Sequence, residues 1–252
     1  KTLLIASSYS GNTEETIDAL KTAIKTGLPA AVITSGGTLA KLAEEHSLPH
    51  IILPNPGIQP RMAVGFAVKA LARLTGTLET EKELAALSHT LAPDTLEEAG
   101  AALAKKLRGH IPLIWSSAGN ESIAYNWKIK FNETGKSPAF HNVFPELNHN
   151  ELQAFDASET TRPLVEKLVV LLLTDSDDDS RIVKRMNVLE TLFTARDIGV
   201  IKVPFAGKTR AERIFSSLLL ADWTTLALAR AYGRDPETVP FIEEFKRAVV
   251  SQ

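Results

Sequence analysis

The chain has no cysteine among its 252 residues. This excludes disulfide bridges, thiolate metal sites and a cysteine nucleophile. The sequence also has no apolar run of membrane-spanning length and no signal peptide. The formal net charge is only -2, so the composition gives no basic surface of the kind that nucleic acids bind. These absences favour a cytoplasmic globular enzyme that binds neither membrane nor nucleic acid.

Short apolar runs alternate with helical patterns along the chain. This alternation is typical of α/β proteins with parallel sheets. The runs predict strands at residues 3–6, 29–34, 50–54, 111–115, 140–144, 168–173 and 200–203. The apolar periodicity predicts helices at residues 38–45, 62–74, 123–134, 179–194, 209–232 and 239–250, and an earlier helix with Ile17, Leu20 and Ile24 on one face.

A turn rich in small hydroxyl residues, Ser7 to Thr16, links the first strand to the first helix. The first N–H groups of a helix lack internal partners and carry partial positive charge, which suits an anion. Ser8, Ser10 and Thr13 add hydroxyl donors, and Gly11 allows a close backbone approach. The alternative is an ordinary turn with N-caps. A nucleotide P-loop is excluded because no Gly-Lys-Ser/Thr follows.

A second strand–turn–helix series begins near residue 111, where the turn Ser116 to Ser122 again contains Ser-Ser and Gly-Asn. We therefore predict a duplicated architecture. The predicted divisions are a first domain at 1–76, a helical linker at 77–108, and a second domain with a C-terminal helix at 109–252. Because the chain starts at Lys1 and enters a strand at once, we expect the first domain to lack its N-terminal part.

Two further segments offer proton-transfer chemistry. Glu133 ends a predicted helix beside Phe131, where the helix dipole and apolar surroundings disfavour a carboxylate. The simpler interpretation is a surface glutamate that pairs with Lys130 or Lys136. His149 lies among asparagines and glutamates just after a strand, and it suits proton transfer near neutral pH, although a lone histidine is more often structural.

The acidic run from Asp175 to Ser180 has two interpretations. It lacks the glycine and distal glutamate of an EF-hand calcium loop. Aspartate is a preferred helix N-cap, so we predict a strand-to-helix loop that caps the following helix.

Together these motifs resemble the bifunctional phosphoglucose/phosphomannose isomerases, a branch of the phosphoglucose isomerase superfamily built from two SIS (sugar isomerase) domains. The similarity covers nearly the whole chain. Its motifs are S-x-S-G-N-T-x-E at 8–15, I-T-S-G-G at 33–37, Pro60-Arg61, F-N-E at 131–133 and P-E-x-x-H-N at 145–150. The resemblance implies two SIS domains, each a parallel sheet flanked by helices in three α/β/α layers.

The resemblance also implies an aldose–ketose isomerase that interconverts glucose 6-phosphate with fructose 6-phosphate, with mannose 6-phosphate left open as a further substrate. No metal, nucleotide or redox cofactor is implied. The substrate phosphate would be held by the first turn, at Ser8, Ser10 and Thr13.

The remaining roles follow from the same resemblance. Glu133 would move a proton between C2 and C1 through a cis-enediolate, and Arg61 would stabilise that intermediate. His149 would help open the sugar ring from the partner subunit of a homodimer, and Lys246 would line the site. A valine, Val239, stands where the family can have a threonine associated with both C2 epimers, which puts the mannose-phosphate activity in doubt.

Two other functions stay open. A non-catalytic SIS regulator would need the first turn but none of Glu133, His149 or Arg61. An amino-sugar phosphate isomerase would use the same turn, because SIS domains share it across several substrates.

Overall fold

The computed structural model describes residues 2–250, with side chains described up to residue 249. The chain divides into two compact units, Lys1–Ser88 and His89–Gln252. Each unit contains its own parallel sheet. The parallel α/β class predicted from the alternating pattern is therefore confirmed.

The first unit has a three-stranded sheet in the order β1-β2-β3. Its strands are β1 (Leu4–Ser7), β2 (Ala30–Thr34) and β3 (His50–Ile52). Its helices are α1 (Glu14–Thr26), α2 (Gly37–Glu45) and α3 (Val64–Thr75), and α4 (Leu78–Thr90) follows across the division between the units. A short 3-10 helix, Pro60–Met62, precedes α3.

Strand β2 is buried along its whole length, because helices cover both faces of the first sheet. On one face, Val32 packs with Leu20 of α1 and Leu39 of α2. On the other, Ile33 packs with Ala70 of α3. Neighbouring side chains of a strand point to opposite faces, so one strand supplies both halves of the core. The result is a three-layer arrangement.

The second unit has a four-stranded sheet in the order β5-β4-β6-β7. Its strands are β4 (Ile111–Ser117), β5 (Phe140–Phe144), β6 (Leu168–Thr174) and β7 (Gly199–Pro204). Its helices are α5 (Glu97–Leu107), α6 (Glu121–Glu133), α7 (Leu147–Asn150), α8 (Arg162–Val165), α9 (Ser180–Thr194), α10 (Arg210–Ala231) and α11 (Pro240–Val250). Short 3-10 helices lie at Pro93–Leu96, Ala118–Asn120 and Glu151–Phe155.

Trp115 of β4 is the centre of the core on one face of the second sheet. It is 1% exposed and contacts three phenylalanine rings edge-on: Phe144 at 6.5 Å, Phe155 at 5.7 Å and Phe193 at 5.9 Å between ring centroids. Such edge-to-face pairs stabilise a core beyond the area they bury. The unbroken apolar sequence of β6 follows from burial on both faces.

The stretch predicted as a helical linker is divided by the structure. Its first helix, α4, starts in the first unit, whereas α5 belongs to the second unit and packs along α10. The buried face of α5 includes Gly100, Leu103 and Leu107. Part of the predicted linker therefore forms a layer of the second unit. The exact domain limits proposed from the sequence stay a prediction.

Helix α10 has 22 residues and, by length and composition, could cross a membrane. In this structure it packs against α5 and α6 instead. Its buried Arg213 forms an ion pair with Asp175, and its Asp222 forms one with Lys130 of α6. This is the pattern of a core helix in an α/β unit.

All seven predicted strands are present, and the long helices lie within a few residues of their predicted bounds. The sequence pattern does not predict the short helices α7 and α8, which have four residues each. One turn of helix is too short to produce a helical periodicity in the sequence.

The close packing of α5 on α10 predicts the effect of replacing Gly100. A Cβ at this position would lie 2.5 Å from Cβ of Trp223 and 2.9 Å from the backbone N of Thr224. Although alanine favours helices over glycine by about 1 kcal/mol, we expect overpacking to win. Gly100→Ala should lower the free energy of unfolding of the second unit by about 1–3 kcal/mol.

Urea unfolding followed by tryptophan fluorescence measures this effect. Gly119→Ala is the matched control, because the nearest atom to its new Cβ, outside its chain neighbours, is Ser117 Oγ at 3.9 Å. Equal unfolding midpoints for the two variants would contradict the interpretation.

Candidate functional site

The first turn runs from Ser8 to Thr13, between β1 and α1. Thr13 occupies the N-cap position of α1, but its side chain makes no capping hydrogen bond. Its hydroxyl instead lies 2.7 Å from the hydroxyl of Ser8. The side chains of Ser10 and Thr13 are exposed, and Ser8 is half-buried. The start of α1 therefore presents N–H groups and hydroxyls together to solvent, which is an anion-binding arrangement.

The segment that follows β2 is hydrogen-bonded to this turn. The carbonyl of Tyr9 accepts hydrogen bonds from the backbone N–H of Ser35 at 2.9 Å and from its hydroxyl at 2.6 Å. The side-chain oxygen of Asn12 accepts from the N–H and the hydroxyl of Thr38, both at 3.0 Å. The Asn12 side chain therefore holds the two segments together. The hydroxyls of Ser10 and Thr13 remain exposed.

Two glycines allow the two segments to approach so closely. Gly11 has φ +69°, and a Cβ there would lie 1.8 Å from the carbonyl oxygen of Gly36. Gly37 has φ +71°, and a Cβ there would lie 2.5 Å from the carbonyl oxygen of Ser10. Neither position has room for any other residue.

The second turn links β4 to α6, as the first links β1 to α1, but its hydroxyl and amide groups have a carboxylate partner within the chain. The hydroxyl of Ser117 donates to Asp178 Oδ1 at 2.5 Å, and the Asn120 amide donates to the same oxygen at 3.0 Å. The other oxygen of Asp178 accepts from the N–H of Asp175 at 2.8 Å. In the described part of the chain, no carboxylate is hydrogen-bonded to the hydroxyls of the first turn. An aspartate of the chain itself therefore fills the second turn, whereas the first is open.

The acidic run after β6 is held by arginines rather than by a single centre. The Asp175 side chain is 1% exposed and pairs with Arg210 and with Arg213, whose Nε lies 2.9 Å from Asp175 Oδ1. Arg213 also pairs with Asp177. Since Asp178 faces the second turn, these carboxylates point to different partners, and the calcium interpretation is not supported.

Asp179 caps α9, as the sequence predicts. Its side chain accepts from the N–H of Arg181 at 2.8 Å. Hydrogen bonds from the Arg181 side chain and backbone lower the pKa of Asp179 to about 2. Because the folded pKa is depressed, this cap is fully effective above the ordinary aspartate range and is lost as the pH falls towards 2.

Glu133 is the last residue of α6 and is half-buried. Lys130, one of the partners considered for it, pairs with Asp222 at 2.5 Å and is almost fully buried. The other, Lys136, donates from Nζ to the backbone carbonyl of Glu133 at 2.6 Å. The C-terminal end of α6 is fixed further by the Asn132 amide, which donates to the carbonyl of Ser137 at 3.0 Å. The backbone that carries the Glu133 carboxylate is thus well defined.

His149 lies in the short helix α7, which follows β5, and its side chain is exposed. Its N–H donates to the carbonyl of Glu146 at 2.9 Å, and the Asn150 amide donates to the Glu146 side chain at the same distance. The segment is thereby fixed while the imidazole faces outward.

The topology places Glu133 and His149 at opposite ends of the strands of the second sheet. Strands β4 and β5 are parallel, so α6 must return from the carboxyl end of β4 to the amino end of β5. Glu133, at the end of α6, lies towards the amino ends of the strands, and His149 follows the carboxyl end of β5. With 13 residues, α6 is ~20 Å long. The structure does not bring these two predicted residues of one chain together.

The last two predicted residues lie on separate elements. Arg61 is in the 3-10 helix Pro60–Met62 of the first unit and is half-buried. Lys246 is on α11, exposed, with its ammonium 2.8 Å from Glu243 Oε1. The residues leading into α11 are linked to the end of α6, because Lys136 also donates to the carbonyl of Thr238.

The geometry of the first turn predicts a strong effect of Gly11→Ala. A left-handed backbone costs any residue with a Cβ about 1–2 kcal/mol, and here the Cβ would also clash with Gly36. We expect the variant to lower the thermal midpoint of the first unit and to abolish binding of inorganic phosphate. Gly27→Ala is the matched control, with φ +67° and no atom within 4 Å of the new Cβ. Equal losses would show that the close approach to Gly36 is unimportant.

A family model and individual relatives indicate the same protein family for this chain. Residues 96–249 match the family described as the bacterial phospho-glucose isomerase C-terminal SIS domain. A bifunctional phosphoglucose/phosphomannose isomerase of Caldicellulosiruptor bescii is 37% identical, over 98% of this chain and 76% of the relative. A D-glucosamine-6-phosphate 4-epimerase of Sulfolobus acidocaldarius is 33% identical, over 63% of this chain and 53% of the relative.

Among solved structures, a hypothetical protein of Thermus thermophilus has the same fold. Its TM-score is 0.72 at 17% identity, and the match covers all of this chain and 71% of that one. Fold, motifs and sequence identity therefore agree, and the chain belongs to the bifunctional phosphoglucose/phosphomannose isomerase family.

Proposed function

We propose that this protein is a sugar-phosphate isomerase that interconverts glucose 6-phosphate, and also mannose 6-phosphate, with fructose 6-phosphate. The observation that supports this most is the contrast between the two turns. The first offers the Ser8 and Thr13 hydroxyls and an uncapped helix start to a ligand, whereas Asp178 fills the second. The relatives named as bifunctional phosphoglucose/phosphomannose isomerases support the same reaction.

In this proposal the substrate phosphate binds at the first turn, held by Ser8, Ser10, Thr13 and the first N–H groups of α1. A phosphate dianion gains from both the hydrogen bonds and the helix dipole. Because the phosphate is remote from the reacting carbons, its binding energy orients the sugar for catalysis. The occupied second turn gives the expectation of one phosphosugar per chain.

Glu133 would be the base that transfers the proton between C2 and C1. Removal of a proton beside a carbonyl leaves an enediolate, and Arg61 would stabilise its negative charge. Lys246 would line the same site. This chemistry is a proton transfer within the substrate, so it requires no metal, nucleotide or redox cofactor.

His149 would open the sugar ring in the site of a partner subunit. Glu133 and His149 lie at opposite ends of the strands of the second sheet within one chain, which is compatible with a histidine that acts in trans. We therefore propose a homodimer in which each active site takes its histidine from the other subunit. We also propose that both units are SIS domains and that the enzyme is cytoplasmic.

The amino-sugar alternative is favoured by one observation, the similarity to the D-glucosamine-6-phosphate 4-epimerase. That match covers a smaller part of this chain than the isomerase relatives do. A purely regulatory SIS protein is disfavoured, because it would have no need for Glu133, His149 and Arg61 in their family motifs.

The direct test is incubation of the purified protein with fructose 6-phosphate, with both aldose products followed over time. Formation of glucose 6-phosphate and mannose 6-phosphate is expected. Glucose 6-phosphate alone would retain the mechanism with a narrower specificity, consistent with Val239, whose side chain cannot hydrogen-bond to water. Absence of both products, together with turnover of glucosamine 6-phosphate, would favour the amino-sugar alternative.

Glu133→Gln tests the proposed base. Glutamine keeps the shape of the side chain but cannot accept the proton, so kcat should fall about 10²–10⁴-fold, the usual contribution of a general base. Binding of fructose 6-phosphate, measured by calorimetry, should change little. Glu121→Gln, at the exposed start of the same helix, is a control with the same chemical change. A matching loss of binding in Glu133→Gln would count against a purely catalytic role.

A further inference from the structure

The C-terminal end of α6 has an unusual partner. The last carbonyls of a helix lack N–H partners within the helix. Here the N–H groups of Thr134 and Gly135 both return to the carbonyl of Lys130, and the carbonyl of Glu133 accepts from the ammonium of Lys136 at 2.6 Å. A cation at this end also complements the negative end of the helix dipole.

Lys136 reaches this position from a turn with a left-handed backbone, at φ +55°. Few residues other than glycine adopt this conformation without cost. Its half-buried side chain extends back along the helix end instead of into solvent. The backbone and the side chain of Lys136 together place an ammonium at the end of α6.

The same ammonium donates to a second carbonyl, that of Thr238. Thr238 lies in the segment that leads through Val239 to α11, and this segment has its own internal support. The Asp235 carboxylate accepts from the N–H of Glu237 at 2.9 Å and from the hydroxyl of Thr238 at 2.8 Å. These hydrogen bonds, with a smaller effect of the Lys136 charge, lower the pKa of Asp235. Lys136 thus connects two segments that are far apart in the sequence.

The surroundings explain why the ammonium turns to carbonyl groups. Lys136 borders a cavity of about 410 Å³ that is also lined by three other basic side chains, His110, Lys167 and Arg234. The carboxylate of Asp235, in the Thr238 segment, interacts electrostatically with Lys136. The carbonyls of Glu133 and Thr238 stabilise the ammonium beside the positive charges of Lys167 and Arg234. Lys136 can donate three hydrogen bonds from one flexible stem, which suits two separate acceptors.

We infer that Lys136 is a positioning residue of the isomerase, which fixes the Glu133 backbone relative to the segment that carries Val239 and Lys246. This inference rests on the proposed function for its catalytic consequence. Small displacements of a reacting group reduce rates strongly, by about 10²-fold for 1 Å. Loss of the link should therefore reduce kcat without weakening the phosphate site, which belongs to the first unit.

The test compares Lys136→Met with Lys136→Arg and Lys128→Met. Methionine keeps the length and apolar stem of lysine but donates no hydrogen bond, whereas arginine can still donate to two acceptors. Lys128 lies on α6 itself, with its ammonium 5.6 Å from the centre of the Tyr125 ring, and its substitution also removes one positive charge. Lys136→Gln, whose side chain is uncharged and one atom shorter than lysine, replaces the methionine variant if that variant does not fold.

Two results are expected of Lys136→Met with fructose 6-phosphate as substrate. The value of kcat falls about 10–100-fold with KM nearly unchanged, as for a misplaced reacting group. The ratio of glucose 6-phosphate to mannose 6-phosphate changes, because Val239 is no longer fixed relative to Glu133. Lys136→Arg restores most of the rate, and Lys128→Met behaves as the wild type.

Hydrogen exchange provides a readout that does not depend on activity. In Lys136→Met, amide exchange should accelerate over residues 236–246 and remain unchanged in α9. If the wild type shows no isomerase activity, the proposed function fails, while the exchange data still decide whether Lys136 holds this segment. Unchanged exchange over residues 236–246, or equal effects of Lys136→Met and Lys128→Met on kcat and on the product ratio, would overturn the inference.

Discussion

Burial of a parallel sheet on both faces is the constraint on which the rest of this structure depends. Strands such as β2 and β6 can be apolar throughout only if helices cover both sides. Each helix that connects two parallel strands then runs antiparallel to those strands. The helices consequently begin near the carboxyl ends of the strands and end near the amino ends.

This constraint distributes the chemistry of the protein. The start of α1, with its unpaired N–H groups, suits an anion, and the Ser8–Thr13 turn lies there. The end of α6, where the dipole is negative, carries Glu133, and the cation of Lys136 stabilises the backbone at that point. The proposed base and the proposed anion site therefore lie at opposite ends of helices, where the helix dipole has opposite signs.

The sequence predicts the local features of this arrangement well. The seven strands follow from apolar runs, the first turn from its glycine and hydroxyl pattern, and the Asp179 cap from the preference of aspartate for helix starts. Contacts between distant residues were not predictable in this way. Ser117 and Asp178 are 61 residues apart, and Lys136 and Thr238 are 102 apart, so only the folded chain identifies them as partners. The packing of α5 on α10 is likewise not predictable, because an alanine-rich helix that contains a glycine has the composition of an exposed linker.

The filled second turn has a consequence for the stability of the second unit. A hydroxyl and an amide directed at one point are costly to bury unless an acceptor satisfies them. Ser117 and Asn120 have such an acceptor in Asp178, so this copy keeps the turn geometry with no ligand bound. The second turn therefore holds its shape through a partner within the chain, whereas the hydroxyls of the first turn remain available to the phosphate that we propose binds there.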